Sequence, residues 1–143
     1  VKALTVRPPY AGQIVSGRKL VENRVRPTYY RGKILIHAGA AVHDHFKEIA
    51  STVTDPMGAI VGEVTILGSH SAHGCTRTDC RDLGGFRPGS AEVDFKDGPL
   101  HHWVLSDPVQ YREPVPASGA LGYWVPPESV MERVRVQRRL LHD

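Results

Sequence analysis

Apolar residues in this chain come in short runs, and a glycine or proline ends or opens nearly every one. Ala3–Val6 stops at Arg7-Pro8-Pro9, Tyr10–Ser16 at Gly17, and Leu20–Val25 at Arg26-Pro27-Thr28. Gly32 opens Lys33–His37, and Asp55-Pro56-Met57-Gly58 opens Ala59–Leu67. Glycine takes positive φ cheaply and proline lacks a backbone N–H, so such sites interrupt regular elements. With 14 glycines and 11 prolines in 143 residues, the chain favours short elements joined by turns over a helical bundle. Its length and 41% apolar content suit one domain with one core.

Alternation reads Ala3–Val6, Leu20–Val25, Lys33–His37, Ala59–Leu67, Trp103–Leu105 and Leu121–Val125 as strands. In Ala59–Leu67, Ile60, Val64 and Ile66 share one face and Val61 and Leu67 the other, and Gly62 marks a bulge or a close backbone approach. Ser106-Asp107-Pro108 reads as a turn, after which Val109–Val115 pairs back on Trp103–Leu105. Short helices are expected at Tyr10–Ser16 and Val42–Ser51. Pro126-Pro127-Glu128 starts a C-terminal helix carrying Val130, Val134 and Leu141 and decorated by Arg133, Arg135, Arg138 and Arg139. An alternating strand at Met131–Val136 is the other reading. Residues 69–99 read as a long polar loop. The fold class that follows is α+β, mainly β: a small closed barrel with two or three short helices packed outside.

No apolar run approaches the roughly 20 residues of a membrane span. Val1-Lys2-Ala3-Leu4 reads as the start of a strand rather than a signal peptide, and two cysteines point to a reducing compartment, so the expected location is cytoplasmic. Charge is uneven. Residues 1–40 hold eight basic residues against Glu22 alone, a net +7, whereas the whole chain carries +3. Such asymmetry points to an anionic partner, nucleic acid first.

Within that basic third, Gly17-Arg18-Lys19-Leu20-Val21-Glu22-Asn23-Arg24 concentrates the chemistry. Gly17 suits a helix end, and the two-residue period of a strand puts Glu22 and Arg24 on one face, with Val21 and Val25 turned to the core. Lys19 sits at the corner beside them. The predicted outcome is a carboxylate fixed between two cations on the wall of a concave cleft; a solvated strand face with a surface ion pair, contributing about 0–1 kcal/mol, is the alternative. Tyr10, Tyr29 and Tyr30 lie among these cations, where rings either stack bases or pack in the core.

Several motifs then fall into one pattern: Leu4-Thr5-Val6-Arg7-Pro8-Pro9-Tyr10, then Ile14, then Gly17-x-Lys19-x-x-Glu22-x-Arg24; Tyr30-Arg31-Gly32-Lys33-Ile34-Leu35-Ile36-His37-Ala38; Gly58-Ala59-Ile60-Val61-Gly62-Glu63-Val64; His102-Trp103-Val104-Leu105; and Gly119-x-Leu121-Gly122-x-Trp124. Together they resemble the ASCH domain, a branch of the PUA-like superfamily, over roughly residues 3–126. The resemblance implies a PUA-like β-barrel domain at 1–127, followed by a basic helix or tail at 128–143. It implies binding of RNA or single-stranded nucleic acid, or of a nucleoside or nucleotide, with Tyr10, Lys19, Glu22, Arg24, Tyr30 and Arg31 as ligand residues. Arg24, Lys19 and Arg31 would face phosphate or a base edge, Tyr10 or Tyr30 would stack, and Glu22 would orient the cations and accept from a base amine.

Small bacterial relatives resemble amidohydrolases of N4-acetylcytidine that use a Lys, a Thr and a Glu. Lys19 matches that lysine, and the threonine position is Glu22 here, so Lys19 and Glu22 are the catalytic candidates for such an amidohydrolase or for a nuclease. A lysine base needs a lowered pKa, and Glu22 would favour the ammonium form, which reads Lys19 as a ligand for phosphate or substrate. A protein-interaction module is the third class.

His70, His73, Cys75 and Cys80 place four zinc-ligand types within eleven positions, though in no recognised zinc-module spacing. No cofactor is otherwise expected. His101-His102 reads as surface or packing. Glu63 reads as an acid–base group or, in the simpler alternative, a core-edge ion pair.

Overall fold

The computed structural model describes residues 1–86 and 100–142. Its strands are β1 (Ala3–Val6), β2 (Val21–Arg24), β3 (Gly32–Ala38), β4 (Ala59–Ser71), β5 (His101–Pro116) and β6 (Tyr123–Trp124), in the sheet order β2-β5-β4-β3-β1-β6. β1 and β3 run parallel, and the remaining pairs are antiparallel. The helices are α1 (Tyr10–Val15), α2 (Thr78–Asp82) and α3 (Glu128–Leu140), with a 3₁₀ segment at Asp44–Thr52 that kinks at Ile49. The fold is therefore mainly β with a few short helices.

Strand alternation is used on both faces of the sheet. Leu4, Val6, Ile34 and Ile36 pack on one side with Ala11, Ile14 and Val15 of α1. Ala3 and Leu35, their neighbours in sequence, pack on the other with Ile60, Tyr111, Val115 and Val134 of α3. Each fully buried aliphatic side chain contributes about 1.5–3 kcal/mol.

The sheet curls into a half-barrel whose two edges, β2 and β6, are bridged by side chains. Arg24 on β2 donates from Nη2 to the Thr5 carbonyl of β1 at 2.9 Å. Trp103, paired with Glu22 in the β2–β5 ladder, stacks on Tyr123 of β6 with ring centroids 5.8 Å apart. This seam, rather than a continuous hydrogen-bonded ladder, is what draws the edges together.

Several expectations change. Ser106-Asp107-Pro108 is not a turn: Asp107 takes φ 51°, the chain bulges, and β5 runs on beside β4 as one strand. Aspartate is among the few non-glycine residues that tolerate that region. Gly62 does sit at a bulge, and the slip puts Val61 with Val64 and Ile66 while Ile60 joins the opposite cluster. The loop expected at 69–99 begins as the end of β4 and contains α2, and its part at 87–99 lies outside the described residues. The Val42–Ser51 helix is 3₁₀ in form, Val25 is exposed, and Leu121 precedes β6 as a fully exposed residue. Arg138 does not decorate α3 but donates from Nε to Glu63 at 2.9 Å.

Among the described glycines, Gly62 is the one where an added Cβ would come closest to a backbone atom. A Cβ there would lie 2.1 Å from the Val109 carbonyl oxygen and 2.8 Å from Cγ1 of Val15. Gly62→Ala is therefore expected to lower stability by about 1–3 kcal/mol, as overpacking does. Urea unfolding measures it, and a variant as stable as the parent would contradict this packing.

Candidate ligand-binding cleft

α1 ends at Gly17, whose φ of +85° turns the chain, and the amides of Arg18 and Lys19 both return to the Gln13 carbonyl at 2.9 and 3.0 Å. That tight exit tucks Lys19 under Gly84, where a Cβ would come within 2.8 Å of the lysine Cγ. Lys19 is only 3% exposed. Its Nζ donates to the Val21 carbonyl, lies 3.5 Å from Oε1 of Glu22, and sits 5.1 Å from the centre of the Tyr10 ring.

Glu22 is buried as well. Arg24 donates to its Oε2 from Nε at 3.2 Å and from Nη2 at 3.1 Å, while Oε1 accepts the Asn23 N–H at 3.1 Å as well as facing Lys19. A carboxylate offers about four lone-pair sites, so these contacts occupy it. Glu22 thus orients the cations, and the expected acceptance from a base amine has no lone pair left for it. The Arg24 guanidinium lies over the Trp103 ring, 5.6 Å from its centre.

Burial pushes the Glu22 carboxyl up, but the charges of Arg24 and Lys19, with the hydrogen bonds from Arg24 and the Asn23 N–H, outweigh it and hold the group below its ordinary value. Burial pulls the Lys19 ammonium below its ordinary value, more strongly than Glu22 pulls it up. Glu22 does favour the ammonium, as expected, but burial outweighs it: proximity was visible in the spacing, and depth was not.

These groups line a cleft of about 330 Å³ that opens at the seam between β1 and β2. Lys19 and Glu22 are buried at its floor with Arg24 half-buried beside them, Tyr10, His43 and Phe86 add ring surface, and Arg7 and Leu121 lie at the rim. Tyr10 meets His43, Phe46 and Phe86 edge-on at 4.8, 5.5 and 6.3 Å. Asn23 and Phe86 were missed by sequence reasoning. Asn23 donates to the Gly84 carbonyl at 2.9 Å and accepts the Phe86 N–H at 2.7 Å, clamping residues 84–86 along the edge of β2. The only signal was the Asn between Glu22 and Arg24, and its partners stand 61 and 63 residues away.

Tyr30 and Arg31 lie elsewhere. Tyr30 stacks on Tyr123 at 5.3 Å and donates to the Lys33 carbonyl at 2.6 Å, and Arg31 caps its own loop through the carbonyls of Thr28 and Tyr30 at 3.0 and 2.8 Å. Glu63 is sealed on the opposite face by Tyr111 at 2.7 Å, Arg138 at 2.9 Å and Lys33 at 3.0 Å, the ion-pair alternative. Of the metal-ligand types, His70, Cys75 and Cys80 converge, but His73 is exposed and apart from them, and His102 takes its place.

Residues 4–87, more than half of the chain, match the family model described as the ASCH domain. Among solved structures, the chain is similar to an ASCH protein from Zymomonas mobilis at 17% identity and a TM-score of 0.63, covering 94% of this chain and 93% of that one. A point variant of the same protein matches at 18% identity and a TM-score of 0.60, covering 94% and 96%. At such identities the likeness is one of fold. A comparison with curated proteins finds no match.

The two titrations run in opposite senses. The depressed Glu22 pKa gives stability that is complete above its ordinary value of 4.5 and is lost as pH falls through the folded-state value. The depressed Lys19 pKa makes its burial costly below the folded-state value, a cost relieved as pH rises from there toward 10.5. Glu22→Gln should therefore lower stability at neutral pH by about 3–5 kcal/mol, because it leaves two cations without their anion. It should also flatten the fall in stability below about pH 4.5. Urea unfolding across pH tests both, and an unchanged acid limb would rule out Glu22 as the responsible group.

Proposed function

The chain belongs to the ASCH domain family, and from that footing we propose that its cleft takes one nucleobase or nucleoside unit of an RNA or other single-stranded nucleic acid. One observation carries this reading: a buried Lys19–Glu22 pair, extended by the half-buried Arg24, lies in one cleft with the rings of Tyr10 and Phe86. A volume of about 330 Å³ is at the low end for small-ligand pockets, roughly 300–1,000 Å³, and suits one nucleoside rather than an extended strand.

Each residue has a role in that reading. Tyr10 and Phe86 offer apolar ring surface to a base. Arg24 uses Nε and Nη2 within the protein, and its Nη1 carries two further N–H donors for a base acceptor or a phosphate oxygen. Arg7, exposed at the rim, meets a flanking phosphate, for which Asp44, 3.4 Å away, is the resident competitor. The basic third is not one continuous face. Arg7, Lys19 and Arg24 line the cleft, whereas Lys33 pairs with Glu63 across the sheet. Few phosphates are therefore engaged.

Binding of a short single-stranded RNA, followed by fluorescence anisotropy, should weaken with salt. The expected slope of log K against log salt is about −0.7 for each phosphate contacted. Arg24→Gln should weaken binding about tenfold or more, the scale of a lost charged hydrogen bond. Affinity unmoved by salt and by Arg24→Gln would overturn the proposal.

A second reading is favoured by one feature, the lowered pKa of Lys19. A buried amine with a smaller protonated fraction can take a proton from water as it attacks an acyl carbon. On N4-acetylcytidine this would release acetate and cytidine, with Lys19 as base and Glu22 holding its position. Wild type should then release acetate and Lys19→Met should not. Failure to turn over any of a panel of acylated nucleosides would remove this reading and leave the binding one standing.

A further inference from the structure

Behind the wall of the cleft, four side chains meet at one point. His70 Nε2 lies 3.4 Å from Cys75 Sγ, 3.5 Å from Cys80 Sγ and 3.3 Å from His102 Nδ1. The four ligand atoms all fall within 4.8 Å of one another. A single imidazole nitrogen has either one proton or one lone pair, so it cannot satisfy three partners by hydrogen bonding. A shared cation at the centre satisfies all four at once.

The spacing fits one kind of cation. A tetrahedron with metal–sulfur bonds of about 2.3 Å and metal–nitrogen bonds of about 2.0–2.1 Å has nitrogen–sulfur edges of about 3.5–3.6 Å and nitrogen–nitrogen edges of about 3.3–3.4 Å. The observed separations of 3.4, 3.5 and 3.3 Å follow those edges. We propose that His70, Cys75, Cys80 and His102 form a closed, structural zinc site of two nitrogen and two sulfur ligands.

The fold prepares each ligand. His70 and His102 are directly opposed in the β4–β5 ladder, with ring planes at 88° and centroids 5.2 Å apart. His102 Nε2 lies 2.7 Å from the Phe86 carbonyl. A carbonyl only accepts, so Nε2 carries the proton and Nδ1 turns its lone pair to the cluster, the outer hydrogen bond usual for a metal-bound histidine. Cys80 comes from α2 and Cys75 from the turn before it. Four protein ligands leave no open position, which fits a structural site, and an N₂S₂ tetrahedron suits zinc among common divalent ions.

The site also answers what holds residues 72–86 in place. Their buried side chains are Ala72 and Cys80, and α2 has five residues, too few to be stable alone. Yet this segment gives the Leu83 carbonyl to Leu20 and Val21 at 3.0 and 3.2 Å, lays Gly84 over Lys19, and brings Phe86 to the cleft. A zinc ion would staple it to the sheet.

The full chain, purified under reducing conditions without chelator or added metal, should contain about one zinc per molecule by mass spectrometry. Its Co²⁺-substituted form should show the visible bands of a tetrahedral ion and thiolate charge transfer. Cys75→Ser should lose the metal while His73→Ala keeps it, which separates this set from the four residues closest in sequence. Chelation should raise hydrogen exchange in residues 72–86 and leave β3 protected. A folded, reduced chain that holds no zinc and takes up no Co²⁺ would overturn the proposal. So would a Cys75–Cys80 disulfide persisting in its place, or loss of metal in His73→Ala equal to that in Cys75→Ser.

Discussion

Much of this structure depends on one buried carboxylate. Glu22 lies away from water between Lys19 and Arg24, with the Asn23 N–H completing its set of donors. A lone ion so placed would be costly, and only the full complement of partners makes it tolerable. Once formed, the cluster fixes three things. It holds Arg24 over Trp103, from where Nη2 reaches across the seam to Thr5. It holds the Lys19 ammonium beneath Tyr10 and Phe86. It also gives the cleft a charged floor held by hydrogen bonds within the protein.

The molecule contains a second buried carboxylate, Glu63. Glu63 also gathers two cations, Lys33 and Arg138, together with the Tyr111 hydroxyl. Burial and the hydrogen bond to Glu63 push the Tyr111 hydroxyl well above its ordinary value, so it stays a donor. That network joins α3 to the sheet: Arg138 comes from α3, and Gln137 beside it accepts the Glu113 N–H at 3.0 Å. The chemistry is alike, but among the described residues it is the Glu22 cluster that lines the cleft walled by the rings of Tyr10, His43 and Phe86. Candidate function is therefore assigned by what lies above the carboxylate, not by the carboxylate itself.

The wall of the cleft comes from a distant part of the chain. Residues 83–86 lie along the outer edge of β2, held by the Asn23 side chain and by the Leu83 carbonyl. They cover backbone groups that an edge strand would otherwise expose. The His and Cys quartet sits immediately behind them, and the Phe86 carbonyl touches both systems, through its bond to His102 and its place on the cleft. The cleft and the proposed metal site thus share one segment.

The features that the sequence by itself determined are those set by a few adjacent residues. The helix stop at Gly17, the shared face of Glu22 and Arg24, the bulge at Gly62 and the basic N-terminal third all follow from φ preferences, strand period and charge. Tertiary structure alone decided the rest. Whether Lys19 lies at the surface or is sealed depends on Gly84 and Phe86 folding over it, and that depth, through desolvation, sets the direction of its pKa. Tyr30 and Arg31 are expected beside the cleft residues as ligand groups, yet packing against Tyr123 and the loop carbonyls takes them away from it. His102 displaces His73 because strand register, not proximity along the chain, brings imidazoles face to face. Ser106-Asp107-Pro108 has the composition of a turn and becomes a bulge because β4 continues beside it and pairs with both halves of β5. Desolvation, register and convergence are properties of residues far apart in sequence, and they come into being only when the sheet curls.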